Sequence, residues 1–513
     1  MVLTSLPEPL PVSEALTVAA ELRRLELPLS TAVLNRMPED PFTPESRAAL
    51  RRMLAAHGPH QGWRELERLE RARAASVRLS RTLRAPLLTL PELHATGPAL
   101  VEALAEGFAP PRSTRPGRRP CREPRAAWRW APARVTWAHA VSAGDLRRLL
   151  RDKRIVVLCG AGGVGKTTTA AALGVAAARA GRRVLVLTID PARRLAETMG
   201  LQESGPEPTS IPPERLFADG PRGTGLLDVW MLDPRAIFER MVHQLAPTPE
   251  AARAIVDHRL YRFLSELVAG VQEYAAAEAL DAFLTDGRYE LILLDTPPAG
   301  TRWTSWTRPA GWRASWTNAS CRCSARRRAR GGRLWHGAQA VVDRVLAGIF
   351  GAGFTQEMRG FIGAFGGLFS GMRLHTERLH QRLASPDAAF LLVTSPEPAS
   401  LREATWFRET LAARGLPFAG YVLNRSWAHD DVLAAPEALL EHTGGDRHAE
   451  HAVAALARLA AVEQERAQAH RDVLDRLTRH LPSGTLAVAA PDAGAELEEF
   501  SGLVRLGDAL AAG

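Results

Sequence analysis

The chain has 513 residues, a formal net charge of +9, four cysteines and 46% hydrophobic residues. That length suffices for two or more domains and a sizeable core. Four cysteines in such a length exclude a disulfide framework. No signal-peptide pattern occurs, nor any apolar run of ~20 residues, so the expectation is a soluble, cytoplasmic protein. The charge is local. Residues 109–140 carry eight Arg and one acid, and residues 299–333 carry nine Arg and no acid. Without these two stretches the chain is net acidic, which argues against a nucleic-acid partner.

Residues 1–108 hold part of an internal repeat. Leu6-Pro7-Glu8-Pro9 returns as Ser395-Pro396-Glu397-Pro398, and Glu14-Ala15 as Glu403-Ala404. Leu27-Pro28 returns as Leu416-Pro417, and Val33-Leu34-Asn35-Arg36 as Val422-Leu423-Asn424-Arg425. One offset of 389 fits every match without a gap. Each copy reads as strand end, Pro-Glu-Pro turn, helix, Leu-Pro break and a second strand ending in Asn-Arg. The first copy has no glycine loop before it, so it reads as the back half of a domain. A lone half-sheet exposes unpaired strand edges; the expectation is that it docks on the rest or is poorly ordered.

Residues 109–142 are rich in Arg, Pro and Trp without a regular period, as in a flexible linker. Helical pattern returns at about Ser142 and opens the segment 143–513. The apolar run Ile155–Cys159 predicts a buried strand. The loop Gly160-Ala161-Gly162-Gly163-Val164-Gly165 follows, then Lys166-Thr167-Thr168 and an Ala-rich helix to about Ala180. Gly160, Gly165, Lys166 and Thr167 fit the phosphate-binding pattern G-x-x-x-x-G-K-[ST]. Glycines let successive amides turn inward around a phosphate, and a helix N-terminus adds partial positive charge. Gly160, Gly162 and Gly165 also spell G-x-G-x-x-G, a dinucleotide fingerprint. Lys166-Thr167-Thr168 argues for a nucleoside triphosphate instead.

Arg183–Asp190 reads as a second apolar strand ending in an acid, with Asp190-Pro191-Ala192-Arg193-Arg194-Leu195 opening a helix. Residues 204–225 read as loop and 233–285 as mostly helix. Tyr289–Asp295 is a further strand ending in an acid, followed by Thr296-Pro297-Pro298. Later strands are expected at Ala388–Ser395, Phe418–Arg425 and Thr485–Ala490. Short apolar runs separated by helices predict an α/β fold, a mostly parallel sheet with helices on both faces. Ligands of such a sheet gather at the carboxyl ends of the strands.

Residues 299–333 break this pattern, with Trp303, Trp306, Trp312 and Trp316 in a Thr/Arg/Ser background. Written in GC-rich codons and read two bases later, Thr301–Thr307 becomes Ala-Leu-Asp-Phe-Leu-Asp, an ordinary helix start. The segment therefore reads as out of frame, and 109–140 as a possible frame junction. Cys321 and Cys323 form only a C-x-C pair, a weak metal signal. In residues 358–372, Met358, Phe361, Ile362, Phe365, Leu368, Phe369 and Met372 fall at helical spacing, a helical insert packed on its own core. His448 and His451 read as a solvated face.

The loop and two strand-end acids make a working set. Lys166 reaches the β- and γ-phosphates of ATP, while Thr167 and Asp295 hold Mg²⁺. Asp190 orients or deprotonates the attacking water. Taken singly, a strand-end Asp reads as a helix N-cap; the combination points to catalysis. No Asn-Lys-x-Asp occurs, so adenine is the expected base.

These motifs, with Pro396-Glu397-Pro398 and Val422-Leu423-Asn424-Arg425, resemble the arsenite-pump (ArsA) and tail-anchored-protein-targeting ATPases, of the MinD/ParA-like class of P-loop NTPases. The resemblance covers about residues 143–513, and residues 1–108 resemble the C-terminal part of a second copy. It implies an ATPase working as a homodimer or tandem pseudo-dimer, with a protein or membrane partner of unknown identity. It implies that Asn424 contacts the adenine and that residues near Pro491 line its pocket. Three departures stand out. Ala161 replaces the family's usual second lysine. Neither the arsenite-binding cysteines nor the dimer-bridging zinc C-x-x-C has a counterpart. The switch region after Asp295 gives way to the anomalous segment. Alternative expectations are therefore a nucleotide-binding but catalytically impaired relative, or a MinD/ParA-type regulator; the latter lacks the expected basic C-terminal amphipathic helix.

Overall fold

A computed structural model describes residues 1–93 (except 84), 143–188, 207–218, 223–232, 248–257, 271–296, 377–428, 433–479, 484–492 and 499–511, with a few isolated positions between them. The expected linker at 109–142, the anomalous segment 299–333, the insert at 358–372 and Asp190 lie outside the described residues. Two compact units emerge: residues 1–137 with 430–471, and residues 138–429 with 472–513.

The first unit contains β1 (Val2–Ser5), α1 (Pro9–Arg24), β2 (Thr31–Met37), α2 (Pro44–His57), α3 (Trp63–Thr82) and β3 (Leu87–Pro91). Its three strands run parallel in the order β1-β2-β3. Pro9 pre-sets the first turn of α1, and Thr43 caps α2 in a box with Ser46. One core layer joins Val12, Ala15, Ala32, Leu34 and Leu79. A second joins Leu50, Leu54 and Leu69 to Leu439, Val453 and Leu456. Leu439, Ala452, Val453 and Leu456, from the segment expected as 143–513, thus pack with the N-terminal residues. The sequence repeat did not signal this, because the partners lie nearly four hundred residues apart. Buried Glu65 forms ion pairs with Arg466 at 2.9 Å and Arg68 at 3.2 Å, and Glu92 joins the cluster.

The second unit holds β4 (Ile155–Cys159), β5 (Arg183–Thr188), β6 (Thr209–Ser210), β7 (Leu226–Met231), β8 (Leu291–Asp295), β9 (Ala388–Thr394), β10 (Phe418–Ser426) and β11 (Leu486–Pro491). Its helices are α4 (Ala143–Asp152), α5 (Lys166–Arg179), α6 (Pro213–Leu216), α7 (Pro249–Val256), α8 (Val271–Asp286), α9 (Pro398–Ala412), the last turns of α10 (Arg447–Arg479) and α11 (Phe500–Ala511). The sheet order is β11-β10-β9-β4-β8-β5-β7-β6, parallel except for the β6–β7 pair. Central strands are buried on both faces, which is why they read as unbroken apolar runs. Val156, Leu158, Val186 and Leu293 face the layer of α4, α5 and α11. Ile155, Val157, Leu187 and Leu294 face that of α8 and α9.

Strand bounds agree with expectation within one or two residues at β4, β5, β8, β9, β10 and β11. Two corrections apply. The stretch expected as loop at 204–225 contains β6 and the single turn α6. Strand β7 was not anticipated, because Asp228 interrupts its apolar pattern. That carboxylate is fully buried and satisfied: the Tyr289 hydroxyl donates to it at 2.6 Å and Arg288 lies at 3.0 Å. Burial and the Asp228 charge push the Tyr289 phenol above its usual range. His448 and His451 are exposed.

Candidate nucleotide site

The chain runs outward from β4 to β5 and β7, returns through β8 beside β4, then crosses to β9, β10 and β11 on the other side. The order of strands reverses at β4, and such switch points in open α/β sheets form ligand crevices at the carboxyl ends. The loop Gly160–Gly165 leaves β4 at this place and enters α5 at Lys166.

Close approach dictates two glycines. A Cβ on Gly160 would stand 2.1 Å from the Val393 carbonyl oxygen of β9. Gly165 sits at φ +91°, and a Cβ there would meet the Asn424 amide nitrogen at 2.1 Å. The Asn424 side chain donates to the Val164 carbonyl at 2.8 Å, so β10 clamps the loop from the side. This places Asn424, expected from the resemblance to contact adenine, on the loop itself. Pro491 ends β11 opposite Ser426, on the same strand-end edge as Asn424.

Lys166, the first residue of α5, is 6% exposed, and its ammonium donates to the Ala161 carbonyl at 2.8 Å. It therefore lies folded back on the loop. Ala161 and Val164 are buried, whereas Gly162 and Gly163 are exposed. Thr168 follows in the first turn of α5.

The Thr167 hydroxyl donates to Asp295 Oδ2 at 2.6 Å, and the Thr188 hydroxyl donates to the same oxygen at 2.9 Å. Asp295 is wholly buried at the end of β8, and Thr296 anchors it by donating to the Leu158 carbonyl at 2.7 Å. One hydroxyl and one carboxylate side by side are hard oxygen donors, the set that suits Mg²⁺ completed by phosphates and water. Among the described residues no cluster of three His, Cys, Asp or Glu could hold a metal alone. Cys159 is buried beneath the loop; desolvation raises its thiol pKa despite the nearby Lys166 charge.

Of the expected site residues, Gly160–Thr168 and Asp295 come together. Sequence reading missed Thr188 and Thr296. Each is a hydroxyl at the end of an apolar strand, a signal present in the chain but not distinctive until β5 and β8 pair with Thr188 opposite Asp295.

Residues 153–305 match the family model of the anion-transporting ATPase. The chain is 28% identical over 160 residues to "ATPase ASNA1 homolog 1" of Paramecium tetraurelia, covering 30% of this chain and 44% of that protein. It is 30% identical over 167 residues to a "Putative arsenical pump-driving ATPase" of Halobacterium salinarum, covering 32% and 25%. It is 27% identical over 157 residues to "ATPase GET3" of Mycosarcoma maydis, covering 30% and 42%. The matches thus span between a quarter and under half the length of these relatives. Among the described residues no helix is long and apolar enough to cross a membrane. The phosphate loop, its strand and the acid at the end of β8 all fall within 153–305, the span over which the chain resembles the anion-transporting ATPase family.

Proposed function

We propose that the second unit binds ATP and hydrolyses it with Mg²⁺, and that hydrolysis drives a conformational switch on a partner. The observation that carries this reading is the Thr167–Asp295 pair beside the Gly160–Lys166 loop. A bound Mg²⁺ would neutralise developing charge between the β- and γ-phosphates, held by Thr167 and Asp295. The remaining work belongs to the chain. The loop amides hold the phosphates, Lys166 exchanges its Ala161 carbonyl for phosphate oxygen, and Thr188 keeps Asp295 oriented. Asp190 positions the attacking water. Asn424 and the Pro491 edge take the adenine side, with the Asn424 clamp setting how closely the base approaches. The acting form is a homodimer or a pseudo-dimer with a second ArsA-like unit, in the cytoplasm, with a protein or membrane partner and no nucleic acid.

Ala161 at the place of the family's second lysine favours a second reading, a nucleotide-binding unit with impaired turnover. Phosphate release from purified full-length chain separates the two. The first reading expects ATP turnover with Mg²⁺ that stops in excess EDTA and resumes on adding Mg²⁺. ATP binding without turnover supports the second, and absence of both contradicts each.

A further inference from the structure

The loop Gly160–Gly165 is pinned at its ends and open at its middle. Gly160 lies against the Val393 carbonyl oxygen of β9, where a Cβ would stand 2.1 Å away. Lys166 folds back on the Ala161 carbonyl at 2.8 Å. At the far end the Asn424 side chain donates to the Val164 carbonyl at 2.8 Å, and a Cβ on Gly165 would stand 2.1 Å from the same amide nitrogen. Gly162 and Gly163, between these points, are exposed, and nothing lies within 4 Å of a Cβ built on Gly163.

The backbone of β10 is irregular where it makes the last of these contacts. Tyr421, Val422 and Leu423 pair in step with Ala487, Val488 and Ala489 of β11, and the register then shifts before Ser426 meets Pro491. Pairing with β9 ends at Leu423, opposite Thr394. Asn424 and Arg425 fill the irregular place, and Arg425 takes a left-handed backbone at φ 55°. Bulges re-aim side chains beside functional sites, and a left-handed non-glycine residue persists only where its surroundings impose it. The side chain re-aimed here is Asn424, 7% exposed, with its donor on the loop. Val164 stands one residue before Gly165, whose carbonyl opens the α5 ladder by accepting from the Thr169 amide at 2.9 Å. Asn424 therefore holds the loop where it turns into the helix.

We propose that Asn424 is a positioning residue for the phosphate loop: it fixes the loop in its receiving shape before a ligand arrives, and so sets the affinity for a triphosphate whatever base that ligand carries. The inference rests on the reading of this loop as a nucleotide site, and adds to the base contact proposed above. The physical ground is entropy. A loop with glycine at positions 160, 162, 163 and 165 has much backbone freedom to lose in closing round a phosphate. Restraint already present in the free chain is removed from the cost of binding. The contact is made to loop backbone, so its effect does not distinguish adenine from guanine.

Amide exchange of the nucleotide-free, full-length chain reads the loop. Calorimetric titration with ATP, GTP and inorganic tripolyphosphate, each with Mg²⁺, reads affinity. In Asn424→Ala, exchange at Gly165–Thr167 is expected to rise about five- to tenfold, as for the loss of one hydrogen bond, with β4 unchanged. All three ligands are expected to bind more weakly by a similar factor, so the ratio of ATP to GTP affinity keeps its wild-type value. Gly165→Ala strikes the same contact from the loop side and gives the same readouts should Asn424→Ala not fold. In the Asn424→Ala background its added effect on exchange is expected to be smaller than alone, because the amide it meets is gone. Unchanged exchange in Asn424→Ala overturns the proposal, as do additive effects of the two substitutions. Loss of ATP affinity with GTP and tripolyphosphate unaffected leaves Asn424 a base contact only and overturns it too. A wild-type chain that binds none of the three overturns the nucleotide reading, and this proposal with it, a result distinct from the others.

Discussion

Replacing Lys166 by Ala lowers ATP turnover by on the order of 10²- to 10³-fold, the range for removing a positioned charge donor from a transition state. The reasoning starts from position. Lys166 opens α5, is almost fully buried and has its ammonium on the loop, donating to the Ala161 carbonyl at 2.8 Å. A buried ammonium at the first residue of α5, on the Ala161 carbonyl, is within reach of triphosphate oxygens held by the loop. The fold itself loses one hydrogen bond, about 1 kcal/mol. The checks are phosphate release for activity and urea unfolding for stability. Wild-type turnover in Lys166→Ala removes the catalytic role assigned here.

Replacing Gly160 by Ala has the larger effect on the fold. The added methyl would stand 2.1 Å from the Val393 carbonyl oxygen, a backbone atom in a central strand that cannot swing aside. Overpacking costs about 1–3 kcal/mol and a forced backbone shift a further 1–3 kcal/mol. Together these take a large fraction of a typical domain's stability of about 5–15 kcal/mol. Gly163 provides the control. It has φ +75°, yet nothing lies within 4 Å of its would-be Cβ, so Gly163→Ala costs only the left-handed backbone term of about 1–2 kcal/mol. Urea midpoints of the two variants should differ clearly, with Gly160→Ala the lower. Equal midpoints would mean that the loop does not sit against β9.

How much of this was readable beforehand depends on where each signal resides. Ile155–Cys159, Leu291–Asp295 and Ala388–Thr394 are buried on both faces, so their apolar runs announce strands without any tertiary knowledge. The loop was legible because its chemistry requires particular residue types in consecutive order. Strand β7 was not, since the acceptance of Asp228 into a buried sheet rests on Tyr289 and Arg288, sixty residues away in the chain. The packing of Leu439, Val453 and Leu456 against Leu50 and Leu69 is a match of surfaces that no local pattern encodes. The Asn424 clamp belongs to the same class. Asn is expected there from resemblance, but its hold on Val164 arises only from the adjacency of β9, β10 and the loop.

The repeat was legible as identity and became informative as geometry. Matching residues at one offset of 389 mark two segments of like sequence. The two segments share strand register, a register shift at matching places and a left-handed arginine, and against the second of them packs the Gly160–Gly165 loop.

Amide hydrogen exchange across Ala161–Thr168, with and without Mg²⁺ and ATP, tests the central claim most directly. If the loop amides cradle the phosphates, exchange at Gly162–Thr167 slows when ATP and Mg²⁺ are added, and the slowing is lost in Lys166→Ala at the same nucleotide concentration. Exchange that is unchanged by ATP up to millimolar concentration, in a chain whose β4 and α5 amides are otherwise protected, would contradict the assignment of this loop as a nucleotide site.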